Sequence, residues 1–154
     1  MWNIAKFRSN KHISSAMKTA EEVIGAVGFS VMTVRPGDTC LAMGISDLPI
    51  LAPGHLMSVM ESACVAALSE YLETGETTIV DKFDVSVIDS VGIGSEIRGT
   101  ARCTEMDGRT MFFECDIYEG ERHIAFAIIE RTAVERVSFL ARTAAQSLIK
   151  SVEN

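Results

Sequence analysis

The stretch from Leu51 to Leu72 constrains what this chain can fold into more than any other. Pro53 suits a helix start, where a missing N–H costs nothing, and Gly75 is a natural stop. Between them the sequence predicts one helix from about Gly54 to Leu72. Apolar side chains fall on almost every side of it, from Leu56 and Met57 through Val59 and Met60 to the run Ala63 to Leu68. A helix that is apolar all round is a buried helix. At 1.5 Å per residue it spans roughly 28 Å, barely a bilayer's thickness. A mid-length carboxylate, Glu61, and many small residues argue instead for a core helix covered by sheet.

Glu61 is the only charge between Gly54 and Ser69. With 3.6 residues per turn it shares a face with Met57, Cys64, Val65 and Leu68. A carboxylate buried among such neighbours must be hydrogen-bonded, paired or protonated. Two readings follow. Glu61 is a general base or a carboxylate that positions a water, or it is a structural acid bonded to backbone or to Ser58 or Ser62.

A chain of 154 residues fits one domain, and 47% hydrophobic residues with 23% charged suffice for a real core. The net charge of −7, with no basic stripe interleaved with aromatics, disfavours nucleic acid as a partner. Cys40, Cys64, Cys103 and Cys115 each sit in an apolar run and form no CxxC pair. They read as reduced core thiols of a cytoplasmic protein. His12, His55 and His123 lack ligand spacing, so no metal site is expected. The first 16 residues lack the continuous apolar segment of a secretory leader. Residues 1–16 are expected to be an N-terminal extension and 17–154 a single domain, with Met17 an alternative start and no membrane partner.

Residues 19–27 suggest a short turn or an approach to a strand. Gly28 to Arg35 is β-rich, Pro36-Gly37-Asp38 is a turn, and Thr39 to Met43 is expected as a second strand. After the helix the character is β throughout. Strands are expected over Thr77 to Ser90, Ser95 to Thr104, Thr110 to Tyr118 and Arg122 to Glu135. Ile97, Gly99, Ala101 and Cys103 alternate onto one face, as do Met111, Phe113, Cys115 and Ile117. Asp107-Gly108 is a tight-turn signal. Ser138 to Val152 is a terminal amphipathic helix whose stripe includes Phe139, Leu140, Ala144, Leu148 and Ile149. Strands in runs with a segregated helix mean an α+β fold. A long buried helix wrapped by a curved antiparallel sheet, followed by a C-terminal helix, is the hotdog arrangement. Its free sheet edges call for a homodimer or a dimer of dimers.

The run Leu51-Ala-Pro-Gly-His-Leu-Met-Ser-Val-Met-Glu-Ser-Ala-Cys-Val65, then Tyr71-Leu-Glu-Thr-Gly-Glu76, resembles the helix of hotdog acyl-CoA thioesterases of the fluoroacetyl-CoA thioesterase type. Gly94, Met106-Asp-Gly-Arg109, Phe112-Phe113 and Glu130-Arg131 match in order and spacing, so that the likeness runs from about Gly44 to Phe139. In that family a Thr at the helix start, a Glu within it and a His on the next strand form the site. Glu61 falls on the Glu. The Thr position falls on Pro53 and the His position on Val87 or Ile88, neither of which offers that chemistry.

Other hotdog thioesterases pair a lone helix acid with a Gly amide at the helix start, and Gly54 precedes Glu61 by the seven positions of that pattern. The resemblance therefore implies Glu61 as the catalytic acid, supplied to the site by either subunit. It serves a water or attacks the carbonyl itself. The Gly54 and His55 amides hold the thioester carbonyl at the positive end of the helix. The His55 ring binds substrate, supplies the proton function of the missing His, or is a plain first-turn histidine. Arg131 matches the family's strand Arg. It meets a CoA phosphate or a carboxylate at the dimer interface, or else pairs with Glu130 or Glu135. Asp89 and Ser90 replace the missing polar pair or form a strand-end turn, and the methionines fill core or line an acyl pocket.

The function implied is hydrolysis of a small or medium acyl-CoA or acyl-carrier thioester, with no cofactor beyond the CoA of the substrate. Enoyl-thioester hydration lacks a visible Asp/His pair. The competing class is a non-catalytic acyl-thioester-binding or sensing protein, which the loss of Thr and His favours.

Overall fold

The computed structural model describes residues 20–153. The expected extension over residues 1–16 and the start at Met17 lie outside them. Its elements are α1 (Ala20–Val23), β1 (Val27–Thr33), α2 (Pro53–Leu68), β2 (Glu76–Val87), β3 (Glu96–Asp107), β4 (Thr110–Glu119), β5 (Arg122–Glu135) and α3 (Arg136–Val152). The five strands form one antiparallel sheet in the order β1-β3-β4-β5-β2. This is the expected α+β hotdog arrangement.

Period-two alternation decides which side of the sheet is core. Ile97, Gly99, Ala101 and Cys103 on β3 and Met111, Phe113, Cys115 and Ile117 on β4 all turn inward. They meet Leu56, Val59, Met60, Ala63 and Cys64 of α2. The helix lies across β1, β3 and β4 and approaches the first two most closely. A Cβ on Gly28 would stand 2.1 Å from the Ala63 carbonyl oxygen, and one on Gly99 would stand 2.6 Å from the Val59 side chain. These two glycines are required by close approach, not by turn geometry.

Three expectations need correction. Thr39 to Met43 is not a strand. Thr39 makes a single bridge to Leu51, and the chain then coils through tight turns in which Ile45 N–H donates to Cys40 O. A strand here would carry the chain away from α2, whereas the turns let Ala52 N–H donate to Asp38 O. Next, α2 ends at Leu68 and not Leu72. Ser69 and Glu70 are exposed, and the Ser69 hydroxyl donates to Ala66 O, satisfying a last-turn carbonyl. Third, α2 is not covered all round, since Ser58, Ser62, Val65 and Ala66 form an open face, with Val65 53% exposed.

The terminal helix α3 starts two residues earlier than expected because Glu135 caps it, accepting from the Val137 and Ser138 amides. Among the described residues its apolar stripe is largely exposed, with Phe139 partly covered and none of its residues buried. All four cysteines are buried and unbridged. Cys64 and Cys115 place their sulfurs 3.6 Å apart. That thiol contact, and then burial, push Cys115 far above the usual thiol range.

Candidate active site

The first turn of α2 is pinned from three directions. Ala52 N–H donates to Asp38 O, Leu51 N–H to Val91 O, and Ile50 bridges Gly92. Pro53 occupies the first helical position, so the helix begins with one donor fewer to satisfy. His55 N–H turns back to Ala52 O at 3.0 Å. Of the two amides expected to hold a carbonyl, the His55 amide is thus engaged, which leaves Gly54 as the first-turn donor. The Gly54 carbonyl accepts from Ser58 Oγ.

The His55 ring stands 3.8 Å from Asp38 Oδ1 and keeps a third of its side chain exposed. Asp38 is buried. Its carboxyl lies below the usual range, chiefly because the Arg35 amide donates to Oδ2, with the Arg35 guanidinium and His55 adding to it against burial. Asp38 was not singled out in the sequence, because nothing in a Pro-Gly-Asp turn marks the aspartate as facing a helix start.

A cavity of about 170 Å³ opens beside this turn. Pro53, Leu56, Val87, Val91 and Ile124 line it with Cys40, Ile50 and Leu51, and Asp89 and Ser90 lie at its polar side. Pro53 and Val87, the positions matched to the family's Thr and His, therefore face one cavity. Asp89 and Ser90 belong to it too. Asp89 accepts from Arg122 at 2.7 Å and from Ser90 N–H at 2.8 Å. The Arg122 bond, then the Ser90 amide, holds its carboxyl below the usual range.

Glu61 is not in this cavity and is not dry. It lines a separate, open recess with Ser58, Ser62, Val65 and Arg131, and its side chain is 35% exposed. The reason is the position of α2, which rests on β1 and β3 and leaves its β5 side open. Arg131 points inward from β5, between Ile129 and Ala133 in the alternation, and is only 6% exposed. Its partner is neither Glu130 nor Glu135. Nη1 donates to Glu61 Oε1 at 3.1 Å, Nε to Thr78 Oγ1 at 3.0 Å and Nη2 to Thr78 O at 3.0 Å. Among the described residues Glu61 Oε2 has no hydrogen-bond partner.

The sequence profile of the fluoroacetyl-CoA-specific thioesterase family matches residues 34–137. The chain belongs to that family. A curated member, the fluoroacetyl-CoA thioesterase of Streptantibioticus cattleyicolor, is 27% identical over 93 residues, 60% of this chain and 67% of that protein. A solved structure of fluoroacetyl-CoA thioesterase in complex with acetyl-CoA superposes with a TM-score of 0.75 at 23% identity, covering 80% of this chain and 97% of that one. A thioesterase-superfamily member from Thermus thermophilus superposes with a TM-score of 0.77 at 20% identity, covering 84% and 96%. A hot-dog-like protein from Thermanaerovibrio acidaminovorans gives 0.74 at 16% identity, covering 82% and 95%. These likenesses establish the hotdog fold, and the profile establishes membership of a thioesterase family. Most of α3 extends beyond the family match, which ends at residue 137.

Proposed function

We propose that the protein hydrolyses an acyl-CoA thioester, with Glu61 serving the attacking water and the Gly54 amide polarising the carbonyl. The observation that carries this reading is the Glu61 carboxylate. One oxygen is fixed by a buried arginine, and the other faces an open recess. A fixed, solvated carboxylate with a spare oxygen is what orienting a water requires.

Two helical turns separate Gly54 from Glu61, about 10 Å of rise. The glutamate side chain leans toward the helix N-terminus. Within one copy the remaining gap is on the scale of a thioester carbonyl held at Gly54 and one water beyond it. Water adds to the carbonyl carbon as Glu61 takes its proton. The oxyanion rests on the first-turn amide and helix dipole. Collapse breaks the C–S bond and the thiolate leaves with the proton returned by Glu61. CoA enters only as part of the substrate, and the chemistry asks for no further cofactor.

Among the described residues β1 and β2 are the sheet edges, and these edges with the open face of α2 support a homodimer or dimer of dimers. Reduced buried thiols support a cytoplasmic setting. No described helix is long and apolar enough to cross a membrane.

The test is thiol release over a panel of acyl-CoA thioesters with the wild-type chain and Glu61→Gln. Turnover that falls at least about 100-fold in the variant, with ligand still raising its melting temperature, supports catalysis. Equal turnover in both rejects the role of Glu61. A second reading, that the protein binds acyl thioesters without turning them over, is favoured by Pro53 and Val87 standing where the family has Thr and His. Stabilisation by ligand with no thiol release in the wild type supports it.

A further inference from the structure

The cavity at the first turn of α2 has a definite chemistry. Eight of its ten lining residues are aliphatic, proline or cysteine side chains. Leu51 and Val91 are 6% and 2% exposed, so these walls are fixed parts of the core. Cys40 directs its thiol to the Leu51 carbonyl, which leaves the wall no free donor at that point. Among the described residues the one charged lining group is Asp89, held as a carboxylate by Arg122 and Ser90. Arg122 is itself divided between Asp89, the Ser90 carbonyl and Glu119. Its charge is therefore spent on protein carboxylates and is not offered to a ligand.

Size follows from volume. A dry apolar cavity of about 150 Å³ takes one benzene, so this cavity of about 170 Å³ holds an aliphatic group of about six carbons at most. Its position follows from the chain, since Pro53 and Leu56 line it and bracket Gly54 and His55. A thioester carbonyl at the Gly54 amide would place its acyl chain at this opening.

We propose that this cavity seats the acyl chain of the substrate and selects a neutral aliphatic acyl group of about four to six carbons, rejecting acyl groups that end in a carboxylate. The selection has two physical sources. Each methylene entering an apolar wall leaves water, which raises kcat/KM roughly three- to fourfold until the cavity is full. A terminal carboxylate would meet the like charge of Asp89, whose cationic partner among the described residues, Arg122, is already shared with Glu119. This inference rests on the thioesterase reading for its kinetic test but does not depend on Glu61.

The experiment measures kcat/KM for acetyl-, butyryl-, hexanoyl-, decanoyl- and succinyl-CoA. In parallel it measures the melting-temperature shift given by the matching S-alkyl-CoA thioethers, which cannot be hydrolysed. The wild type is compared with Val87→Phe and Asp89→Asn. Val87 is 49% exposed, so the larger ring fits at the rim without disturbing the core. Expected is an optimum at butyryl- or hexanoyl-CoA in both readouts, with succinyl-CoA at least about 50-fold below butyryl-CoA. Val87→Phe moves the optimum toward acetyl-CoA, and Asp89→Asn narrows the succinyl deficit. A flat profile, an optimum at acetyl- or decanoyl-CoA, or a Val87→Phe effect equal on all chains overturns the inference even if hydrolysis is robust. A thioether optimum at four to six carbons with no thiol release keeps it, while the hydrolysis reading fails alone.

Discussion

Two regions on one helix differ in nearly every physical respect. The first-turn cavity is aliphatic, pinned by backbone hydrogen bonds to the Asp38, Val91 and Gly92 segments, and walled by core residues. The mid-helix recess is polar, open, and shaped by one ion pair between half-exposed Glu61 and buried Arg131. The difference teaches where each duty can lie. A rigid apolar site discriminates shape but cannot move a proton. A wet carboxylate can serve a water but cannot measure a chain.

Disturbing the carrier of both regions has the largest effect. Gly28→Ala puts a methyl against the Ala63 carbonyl and Ala67 amide, where backbone must yield. We expect a loss of about 3 kcal/mol or more in denaturant unfolding, at the upper end for overpacking. Activity and ligand stabilisation should fall together. Retention of either alone would mean that the two regions are not held by the same contact.

Glu61→Gln touches only the recess. We expect kcat reduced at least about 100-fold, some 2.7 kcal/mol of transition-state stabilisation, with chain-length preference unchanged. A shift in preference would show that the regions are not separable.

The support beneath Glu61 comes next. Thr78→Val strips Arg131 Nε of its acceptor in a buried place. About 1–2 kcal/mol of stability should go, read by urea unfolding. Arg131→Met should cost a similar amount and not the larger penalty of a fully buried pair, because Glu61 stays in contact with water once alone.

The smallest effect belongs to the first turn. The Asp38 carboxyl is lowered in the folded state, first by the Arg35 amide. Its stabilising contribution is therefore complete above the ordinary carboxylate range and is lost as pH falls from about 4 through the lowered value. Asp38→Asn should flatten that part of the Tm–pH curve while leaving the curve above pH 6 parallel to wild type. An unchanged acid limb would remove Asp38 from the account.

Much of this was legible in the chain. The inward sets on β3 and β4 followed from strict alternation, and β5 runs over Arg122–Glu135 as expected. Alternation counted from Ile129 puts Arg131 on the inward face as well, although on sequence its expected partner is a CoA phosphate, an interfacial carboxylate, Glu130 or Glu135. An inward arginine on a strand facing a helix with a single charge has an obvious partner in Glu61, and that signal was there to be read. The chain said less about Thr39 to Met43, where β-branched and apolar residues look like a strand. Only the tertiary need to return to Ala52 makes them turn. Likewise an apolar helix reads as enclosed whether its own sheet or another surface covers it. The open face along Ser58, Ser62 and Val65 was thus invisible to pattern alone.

Gly28 leaves no side-chain cushion between α2 and β1, since a Cβ there would meet the Ala63 and Ala67 backbone directly. Helix and edge strand are for that reason one mechanical part, with no rotamer between them able to give. Any widening that admits the long arm of a thioester must come from the opposite flank, where side chains such as Val87 and Asp89, and not backbone, meet the cavity.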